Sequence, residues 1–224
     1  MKGRNPTGWA VLIPAKELTD AKRRLDLNPA FRQQLAAAFL ADAVIAALRA
    51  ERVASVTVLT SDAALGSMVT FLGAEWRMDR SAGGLNAAVE AGLPVPDNNR
   101  EGRAVLVGDL PCLRPYELDS ALSQAKVSPT GRLCVTDRGG QGTTLLAALG
   151  STAIDPMFGK FSSRRHQSAG FLPAQGDLPG LRGDIDLPED LEQLASGEAT
   201  GSCTEAALNR WIALRPSTGL ASTT

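Results

Sequence analysis

Short, continuous apolar runs alternate along the chain with longer segments whose apolar residues recur at helical spacing. The run 9–13, WAVLI, is apolar throughout, which is typical of a strand buried on both faces of a sheet. Phe31, Leu35 and Phe39 recur every four residues in an alanine-rich segment, which predicts a helix. The pattern predicts strands at 9–13, 53–62, 73–79, 104–109, 132–137 and 143–149, helices at 29–50, 63–72, 85–93, 115–126 and 204–214, and, within 181–195, a short strand, an acidic turn and a helix that begins at Pro188.

Strands that alternate with helices are typical of a doubly wound α/β sheet. The predicted strands 132–137 and 143–149 are joined by a glycine-rich loop instead of a helix, so one of them should run antiparallel. A chain of 224 residues with 44% hydrophobic content suits one domain. We expect a single-domain, mostly parallel doubly wound sheet with one antiparallel strand over 9–214, an N-terminal tail at 1–8 and a flexible C-terminal tail at 215–224.

Net charge and cysteine content restrict the classes of partner. The formal net charge of −1 gives no general attraction for nucleic acid. Cys112, Cys134 and Cys203 are far apart, which is typical of buried thiols in a reducing compartment and not of a disulfide framework or a C-x-x-C metal site. The apolar run 9–15 is too short for a signal sequence or a membrane span. We expect a cytoplasmic enzyme or binding protein with neither nucleic acid nor membrane as a partner.

Charged residues follow most of the predicted strands directly. In open α/β sheets, ligands bind beyond the carboxyl ends of the strands, so these residues should lie along one edge of the sheet. They are Lys16 after the first strand, Asp62, Asp109 and Asp137 after later strands, and Asp184 and Asp186 after the last short strand.

Asp109, Asp184 and Asp186 are the candidate metal ligands. Mg²⁺ in nucleotide sites takes one or two carboxylates together with phosphate oxygens and water. A spacing of two on an extended segment directs Asp184 and Asp186 to the same face. Two alternatives stay open, since Asp109 could bond backbone amides in a turn before Pro111. Asp184 and Asp186 could instead interact favourably with the dipole at the start of the helix that begins at Pro188.

Four cations, Lys16, Lys22, Arg23 and Arg24, occupy the loop between the first strand and the first helix. That loop of a first β-α unit is a recurrent phosphate site. The chain has no G-x-G-x-x-G or G-x-x-x-x-G-K-[ST] motif, so side-chain charge would have to replace glycine amides. We expect Lys16, Lys22 and Arg24 to bind a triphosphate and Asn86 to help hold the nucleoside. A solvated basic loop is the alternative.

A second anion-binding region is predicted where the glycine-rich loop 137–144 and the segment 158–170 supply amides, hydroxyls and arginines. Glycine permits close approach of backbone amides to an anion. A hairpin turn followed by a mobile loop is the alternative. His166, the only histidine, has no Ser or Cys nucleophile motif to pair with it and is expected to be structural or to form hydrogen bonds in the loop, and not to act as a general base. The residues of the region are Gly139, Gly140, Gly142, Thr143, Ser162, Ser163, Arg164 and Arg165.

Six short motifs occur in order between about residues 10 and 195. They are Ile13-Pro14-x-Lys16 with Ala21-Lys22-x-Arg24-Leu25, then Leu85-Asn86-x-Ala88, Gly108 to Pro111, Asp137-Arg138-x-Gly140-x-Gly142-Thr143, Phe158-Gly159-x-x-Ser162 with His166, and Leu181 to Leu191. Together and in this order they resemble the guanylyltransferases of coenzyme F420 biosynthesis, which act on 2-phospho-L-lactate or phosphoenolpyruvate.

The resemblance implies a nucleotidyltransferase fold of the nucleotide-diphospho-sugar transferase type. It implies transfer of GMP from GTP to the phosphate of a small phosphorylated three-carbon acid, with release of pyrophosphate and hand-over of an unstable product to the next biosynthetic enzyme. Lys16 is expected to act in catalysis with the three aspartates. The implied ligand sets are Asp109, Asp184 and Asp186 for Mg²⁺, and Thr143, Gly159 and Ser162 for phosphoenolpyruvate.

Such a transfer needs neutralised charge and in-line positioning but no protein nucleophile or general base, because the acceptor phosphate is already ionised. Two other classes stay open: a metal-dependent glycosyltransferase of related fold, and a non-catalytic nucleotide-binding module. The acceptor is open among phosphoenolpyruvate, 2-phospho-L-lactate and 3-phosphoglycerate, and we expect phosphoenolpyruvate.

Overall fold

The computed structural model describes residues 7–97, 99–197 and 199–214. Its strands are β1 (Trp9–Pro14), β2 (Val53–Thr60), β3 (Glu75–Met78), β4 (Gly102–Leu106), β5 (Arg132–Thr136), β6 (Thr143–Leu149) and β7 (Leu172–Pro173). They form one sheet in the order β3-β2-β1-β4-β6-β5-β7. All pair in parallel except β6, which runs antiparallel to both β4 and β5. The expected single antiparallel strand is confirmed.

Helices cover both faces of this sheet. They are α1 (Pro29–Arg49), α2 (Ala63–Leu72), α3 (Gly84–Gly92), α4 (Pro115–Val127), α5 (Ser162–Ser168), α6 (Pro179–Arg182), α7 (Pro188–Ala195) and α8 (Ser202–Leu214). The core under α1, α2 and α4 lies on one face, and the smaller core under α3 lies on the other. The doubly wound arrangement is therefore confirmed. The expected tails fall mostly on residues 1–6 and 215–224, which lie outside the described residues.

The central strand β1 supplies both cores. Val11 and Ile13 belong to the core under α1, whereas Leu12 packs with Val89 on the opposite face. Burial of one such side chain contributes about 1.5–3 kcal/mol. The continuous apolar run at the start of the chain is explained by these two faces.

The long helix α1 has the length and apolar composition of a membrane span, but 56% of that window is buried inside the protein. It contacts α2, α4 and α8, and Phe31 stacks on Trp211 with ring centroids 5.7 Å apart. Asn28 caps its first turn by accepting from the N–H of Ala30 at 2.9 Å, and Pro29 begins the helix. These contacts are those of a core helix.

The strand predicted at the start of 181–195 is wrong. The chain forms the short helix α6 there and continues irregularly through 183–187. The guanidinium of Arg182 donates to the carbonyl of Thr136 at 3.2 Å, to its hydroxyl at 2.6 Å, and to the carbonyl of Ala174 at 2.9 Å. These side-chain bonds attach the segment to the end of β5 without a strand ladder.

Two elements, α5 and β7, were not predicted. Helix α5 has seven residues of sequence SSRRHQS, and β7 has two residues. Neither is long enough to show an apolar period. The segment 158–170 therefore contains a helix where a mobile loop was the alternative.

Glu117, fully buried in the first turn of α4, ties that helix to α6. Its carboxylate accepts from the N–H of Arg114 at 2.9 Å and from that of Gly180 at 2.8 Å. A Cβ at Gly180 would lie 2.2 Å from the carbonyl oxygen of Cys112, so only glycine fits there. The segment that precedes Asp184 is thereby held against α4.

We predict that Glu117→Gln lowers the free energy of unfolding by about 1.5–3 kcal/mol, because an amide N–H group would face a buried backbone donor. Denaturant titration with an unchanged slope measures this loss. Glu90→Gln, at an exposed position on α3, is the control and should change stability by less than about 0.5 kcal/mol. Equal small effects for both variants would contradict the structural role of Glu117.

Candidate active site

Lys22 lies between two of the predicted metal ligands. Its ammonium donates to Asp109 and, at 3.0 Å, to Asp186, and its side chain is 9% exposed. Burial opposes the charge, but attraction to the two carboxylates outweighs burial and raises the pKa of Lys22. Its backbone has a φ of 52°, a region that disfavours residues other than glycine. Strained backbone of this kind clusters at functional sites.

Asp109, Asp137, Asp184 and Asp186 form an acidic cluster at the carboxyl edge of the sheet. Burial raises the pKa of Asp184 to about 7, and repulsion from Asp109, then from Asp186 and Asp137, adds to the effect. Lys22 opposes this shift. A carboxyl group whose pKa is raised by burial and by neighbouring acids is typical of functional sites.

Hydrophobic packing holds two of these acids in place. Ile185, between Asp184 and Asp186, is 1% exposed and packs in a core cluster with Phe39. Its N–H also donates to the carbonyl of Asp109 at 3.3 Å. The buried isoleucine therefore keeps both neighbouring carboxylates beside Asp109 although no strand is present.

The three predicted metal ligands come together, but not as a ready ligand set. Across the described ranges, no group of three or more His, Cys, Asp or Glu side chains is arranged to hold an ion. The ammonium of Lys22 lies between Asp109 and Asp186. Phosphate binding by Lys22 would need an exchange of partner and stays a prediction.

Two other cations lie at the mouth of the acidic cluster. Burial would raise the pKa of Asp186, but Lys22, then Arg24 and Lys16, lower it. Lys16 and Arg24 are exposed, so they can meet a ligand that arrives from solvent. Arg23 pairs with an acid of its own loop instead.

Asp62, which follows β2, is a helix cap. Its carboxylate accepts from the N–H groups of Ala64 at 2.9 Å and Leu65 at 3.2 Å at the start of α2, and from that of Leu18 at 3.1 Å. Burial would raise its pKa, but these bonds lower it. Asp62 thereby fixes the basic loop to the sheet.

Backbone amides of the glycine-rich loop donate to a carboxylate of the same loop. Asp137 accepts from the N–H of Gln141 at 2.8 Å and from that of Gly142 at 2.6 Å, and its carbonyl accepts from Gly140 at 3.1 Å. A Cβ at Gly142 would lie 2.3 Å from the carboxylate of Asp137. These bonds are those of a tight hairpin turn closed by its own carboxylate, and binding of an external anion by this loop stays a prediction.

Thr143, Ser162 and His166 form a buried hydrogen-bonded group, the Thr143 group. The hydroxyl of Ser162 donates to that of Thr143 at 3.1 Å, and Nδ1 of His166 lies 2.9 Å from the same oxygen. All three residues are buried. The expected meeting of the glycine-rich loop with the segment 158–170 is confirmed.

The Thr143 group and the acidic cluster lie on the same edge of the sheet. Because β6 is antiparallel, it begins where the parallel strand β4 ends. The N–H of Val107 donates to the carbonyl of Thr144 at 3.0 Å, which sets Thr143 level with the turn that carries Asp109.

Asn86 is already bonded to the backbone of this region. Its amide donates to the carbonyl of Phe158 at 3.2 Å and accepts from the N–H of the same residue at 2.8 Å. It braces the path to Gly159 and Phe161, which have φ values of 116° and 60°. A nucleoside contact of Asn86 stays a prediction, and its observed partner is the backbone of Phe158, next to Gly159.

Sequence reasoning missed the place of Asp137 in the acidic cluster, for which its position at a strand end was the available signal. His166 is buried and bonded to Thr143 and to the backbone N–H of Met157, so the expected structural or hydrogen-bonding role is confirmed.

The cavities described in the structure lie elsewhere. One of about 220 Å³ opens at the amino ends of the strands, beside Arg77 and Arg103, and one of about 440 Å³ lies beside Tyr116. The acidic cluster is identified by its chemistry, on the edge where open α/β sheets bind ligands.

We predict opposite stability effects for two variants of the cluster in metal-free buffer at pH 8. Asp184→Asn should raise the free energy of unfolding by about 1–2 kcal/mol, because it removes an ionised, desolvated carboxylate beside other acids. Lys22→Met should lower it by about 1–3 kcal/mol, because it leaves two carboxylates without their cation. Thermal unfolding measures both, and a shift of the same sign would contradict the described electrostatics.

The fold and the sequence both have known relatives. The MobA-like NTP transferase domain matches residues 31–177. A protein from Desulfovibrio desulfuricans G20 described as a nucleotide-diphospho-sugar transferase is similar with a TM-score of 0.65 and 14% identity, over 92% of this chain and 98% of that chain. Rv0371c from Mycobacterium tuberculosis H37Rv, solved in complex with manganese, is similar with a TM-score of 0.51 and 16% identity, over 86% of this chain and 100% of that chain. These structures confirm the expected type of fold.

Relatives by sequence cover most of the chain. The phosphoenolpyruvate guanylyltransferase of Geodermatophilus obscurus is 44% identical over 192 residues, which are 82% of this chain and 86% of the relative. That of Salinispora arenicola is 41% identical over 189 residues, or 84% and 87% of the two chains. The chain therefore belongs to the MobA-like NTP transferase family and, within it, to the phosphoenolpyruvate guanylyltransferase family of nucleotidyltransferases.

Proposed function

We propose that this chain transfers GMP from GTP to phosphoenolpyruvate, releases pyrophosphate, and serves coenzyme F420 biosynthesis in the cytoplasm. The relatives named phosphoenolpyruvate guanylyltransferase support the reaction, and the thiols of Cys134 and Cys203, which form no disulfide, support the compartment. The observation that carries the proposal is that two different groups of polar side chains lie on one sheet edge. One is the acidic cluster with its cations, and the other is the Thr143 group.

Mg²⁺ is the ion that we assign to the acidic cluster, with Asp109, Asp184 and Asp186 as its ligands. Carboxylate oxygens are the donors that this ion takes in nucleotide sites. Burial and repulsion disfavour the ionised form of Asp184, and attraction to a divalent cation would offset both effects. When bound, the ion would neutralise charge on the phosphate oxygens.

Lys22 would change partners when the nucleotide binds. Its ammonium is bonded to Asp109 and Asp186 in the free protein. In the proposed complex it moves to a phosphate oxygen, while Lys16 and Arg24 meet the remaining charge from the mouth of the cluster. Lys22 is thus a stand-in cation that keeps the acids together until the substrate arrives.

The acceptor would lie against Thr143, Gly159 and Ser162. An oxygen of its phosphate attacks the α-phosphorus of GTP, a new P–O bond forms, and the bond to the leaving pyrophosphate breaks. No proton has to be removed from the attacking phosphate, and the low pKa of His166, about 4 because of burial and then Arg165, suits a residue that does not act as a base. We propose that the unstable product passes directly to the next biosynthetic enzyme.

We predict a GTP-dependent product from phosphoenolpyruvate, and less or none from 2-phospho-L-lactate and 3-phosphoglycerate. Mass spectrometry after incubation with GTP and Mg²⁺ measures each product. Asp184→Asn should reduce kcat/KM by at least about 10²-fold, as when a charge clamp is lost, whereas the exposed Glu189→Gln should leave it unchanged. Turnover of a sugar nucleotide would favour a glycosyltransferase, and nucleotide binding without turnover would favour a binding module.

We predict that Ser162→Ala raises the KM for phosphoenolpyruvate about tenfold or more and leaves that for GTP nearly unchanged. The removed hydroxyl donates its one proton to the oxygen of Thr143, so its loss would disturb the hydroxyl against which the acid is proposed to lie. A hydrogen bond to a charged ligand typically stabilises binding by about 1.5–3 kcal/mol. Ser163→Ala is the matched control, because Ser163 is equally buried but its hydroxyl accepts from Gln167 at 3.0 Å. Loss of GTP affinity in Ser162→Ala would reverse the assignment of the two pockets.

A further inference from the structure

His166 has both ring nitrogens engaged in a fully buried position. Nε2 lies 2.9 Å from the backbone nitrogen of Met157, and Nδ1 lies 2.9 Å from the hydroxyl oxygen of Thr143. Phe158 and Phe171 meet the ring edge-on, with centroids 5.4 and 5.8 Å away. The imidazole is therefore fixed in orientation and shielded from water.

The partner of Nε2 determines the tautomer. A backbone N–H can only donate, so Nε2 of His166 must accept from Met157 and carries no proton. A neutral imidazole then carries its proton on Nδ1. Burial, and then the charge of Arg165, keep the ring neutral by lowering the pKa of His166 to about 4. Nδ1 consequently donates to Thr143.

Thr143 thus receives two hydrogen bonds on one oxygen. Nδ1 of His166 donates to it, and so does the hydroxyl of Ser162 at 3.1 Å. A hydroxyl has two acceptor lone pairs and one proton, so both lone pairs are used within the group. The proton of Thr143 is left to donate to a third partner. The amides of Gln141 and Gly142 in the neighbouring loop already donate to Asp137. The hydroxyl of Thr143 is therefore the donor considered for a ligand here.

We propose that His166 is a positioning residue that holds the hydroxyl of Thr143 as a donor towards a carboxylate or phosphate oxygen of the acceptor. This inference rests on the proposed function for the identity of the acceptor. The other tautomer would present a lone pair from Nδ1, turn the Thr143 proton inwards, and aim an oxygen lone pair at the anion. The tautomer of one buried ring therefore decides whether the pocket attracts or repels the substrate.

The tautomer is measurable without any substrate. His166 is the only histidine in the chain, so every imidazole nitrogen signal of ¹⁵N-labelled protein without a purification tag belongs to it. We expect the Nδ1–H tautomer and no titration between about pH 5.5 and 8. An Nε2–H tautomer, or titration near the ordinary value of about 6.5, would overturn the proposal whatever reaction the enzyme performs.

Two variants of His166 distinguish a role in positioning Thr143 from a role in stabilising the fold alone. His166→Asn keeps an amide N–H at the place of Nδ1 and loses the acceptor for Met157, whereas His166→Gln keeps an acceptor at the place of Nε2 and loses the donor to Thr143. We expect His166→Asn to keep the KM for phosphoenolpyruvate within about threefold and His166→Gln to raise it about tenfold or more, with the KM for GTP unchanged in both. The reverse order, or losses in kcat alone, would overturn the proposal.

Thr143→Ser and Thr143→Val provide the same comparison if either His166 variant fails to fold. The serine keeps the hydroxyl and should keep the KM for the acid, and the valine should raise it. Equal KM values for the two variants would overturn the proposal. Absence of any product with wild-type protein, together with an Nδ1–H tautomer, would contradict the proposed function and leave the arrangement of His166 and Thr143 intact.

Discussion

Repulsion among carboxylates is the constraint on which the site depends. Four aspartates gather at one sheet edge, and burial and repulsion raise the pKa of Asp184 to about 7. The fold stabilises the cluster with Lys22, which reaches Asp109 and Asp186 from a backbone with positive φ. The packing of Ile185 adds an apolar anchor. The site is therefore held together by a cation that belongs to the chain, at the place where a metal–nucleotide complex would bring others.

The antiparallel strand β6 has a direct functional consequence. A parallel strand in its place would begin at the opposite edge of the sheet and carry Thr143 away from the aspartates. Because β6 runs against β4 and β5, its first residue lies where those strands end. One reversed strand thus places the Thr143 group, which we propose binds the acceptor, on the same sheet edge as the acidic cluster, which we propose binds the metal–nucleotide complex.

Sequence periodicity was sufficient for the fold, and the rule that ligands bind beyond strand ends was sufficient to gather the acidic residues on one sheet edge. Apolar runs located the long strands and helices, and residues after strand ends located Asp109 and Lys16. The 181–195 segment was mispredicted because its contacts are made by Arg182 through its side chain, which leaves no periodic pattern. His166 bonds to Thr143, 23 residues away, and Asp137 meets Asp184 only through the fold, so no local pattern specifies either contact. Triphosphate binding by Lys22 stays a prediction, and its two carboxylate partners in the free protein were not predicted.

The central claim is that Lys22 substitutes for the cations of a bound metal–nucleotide complex. A crystal structure of the protein with Mn²⁺ and GTP, with anomalous scattering to locate the ion, tests it most directly. The account predicts an anomalous peak among Asp109, Asp184 and Asp186, with the ammonium of Lys22 moved from the carboxylates to a phosphate oxygen. A nucleotide bound elsewhere, with Lys22 still bridging Asp109 and Asp186, would contradict it.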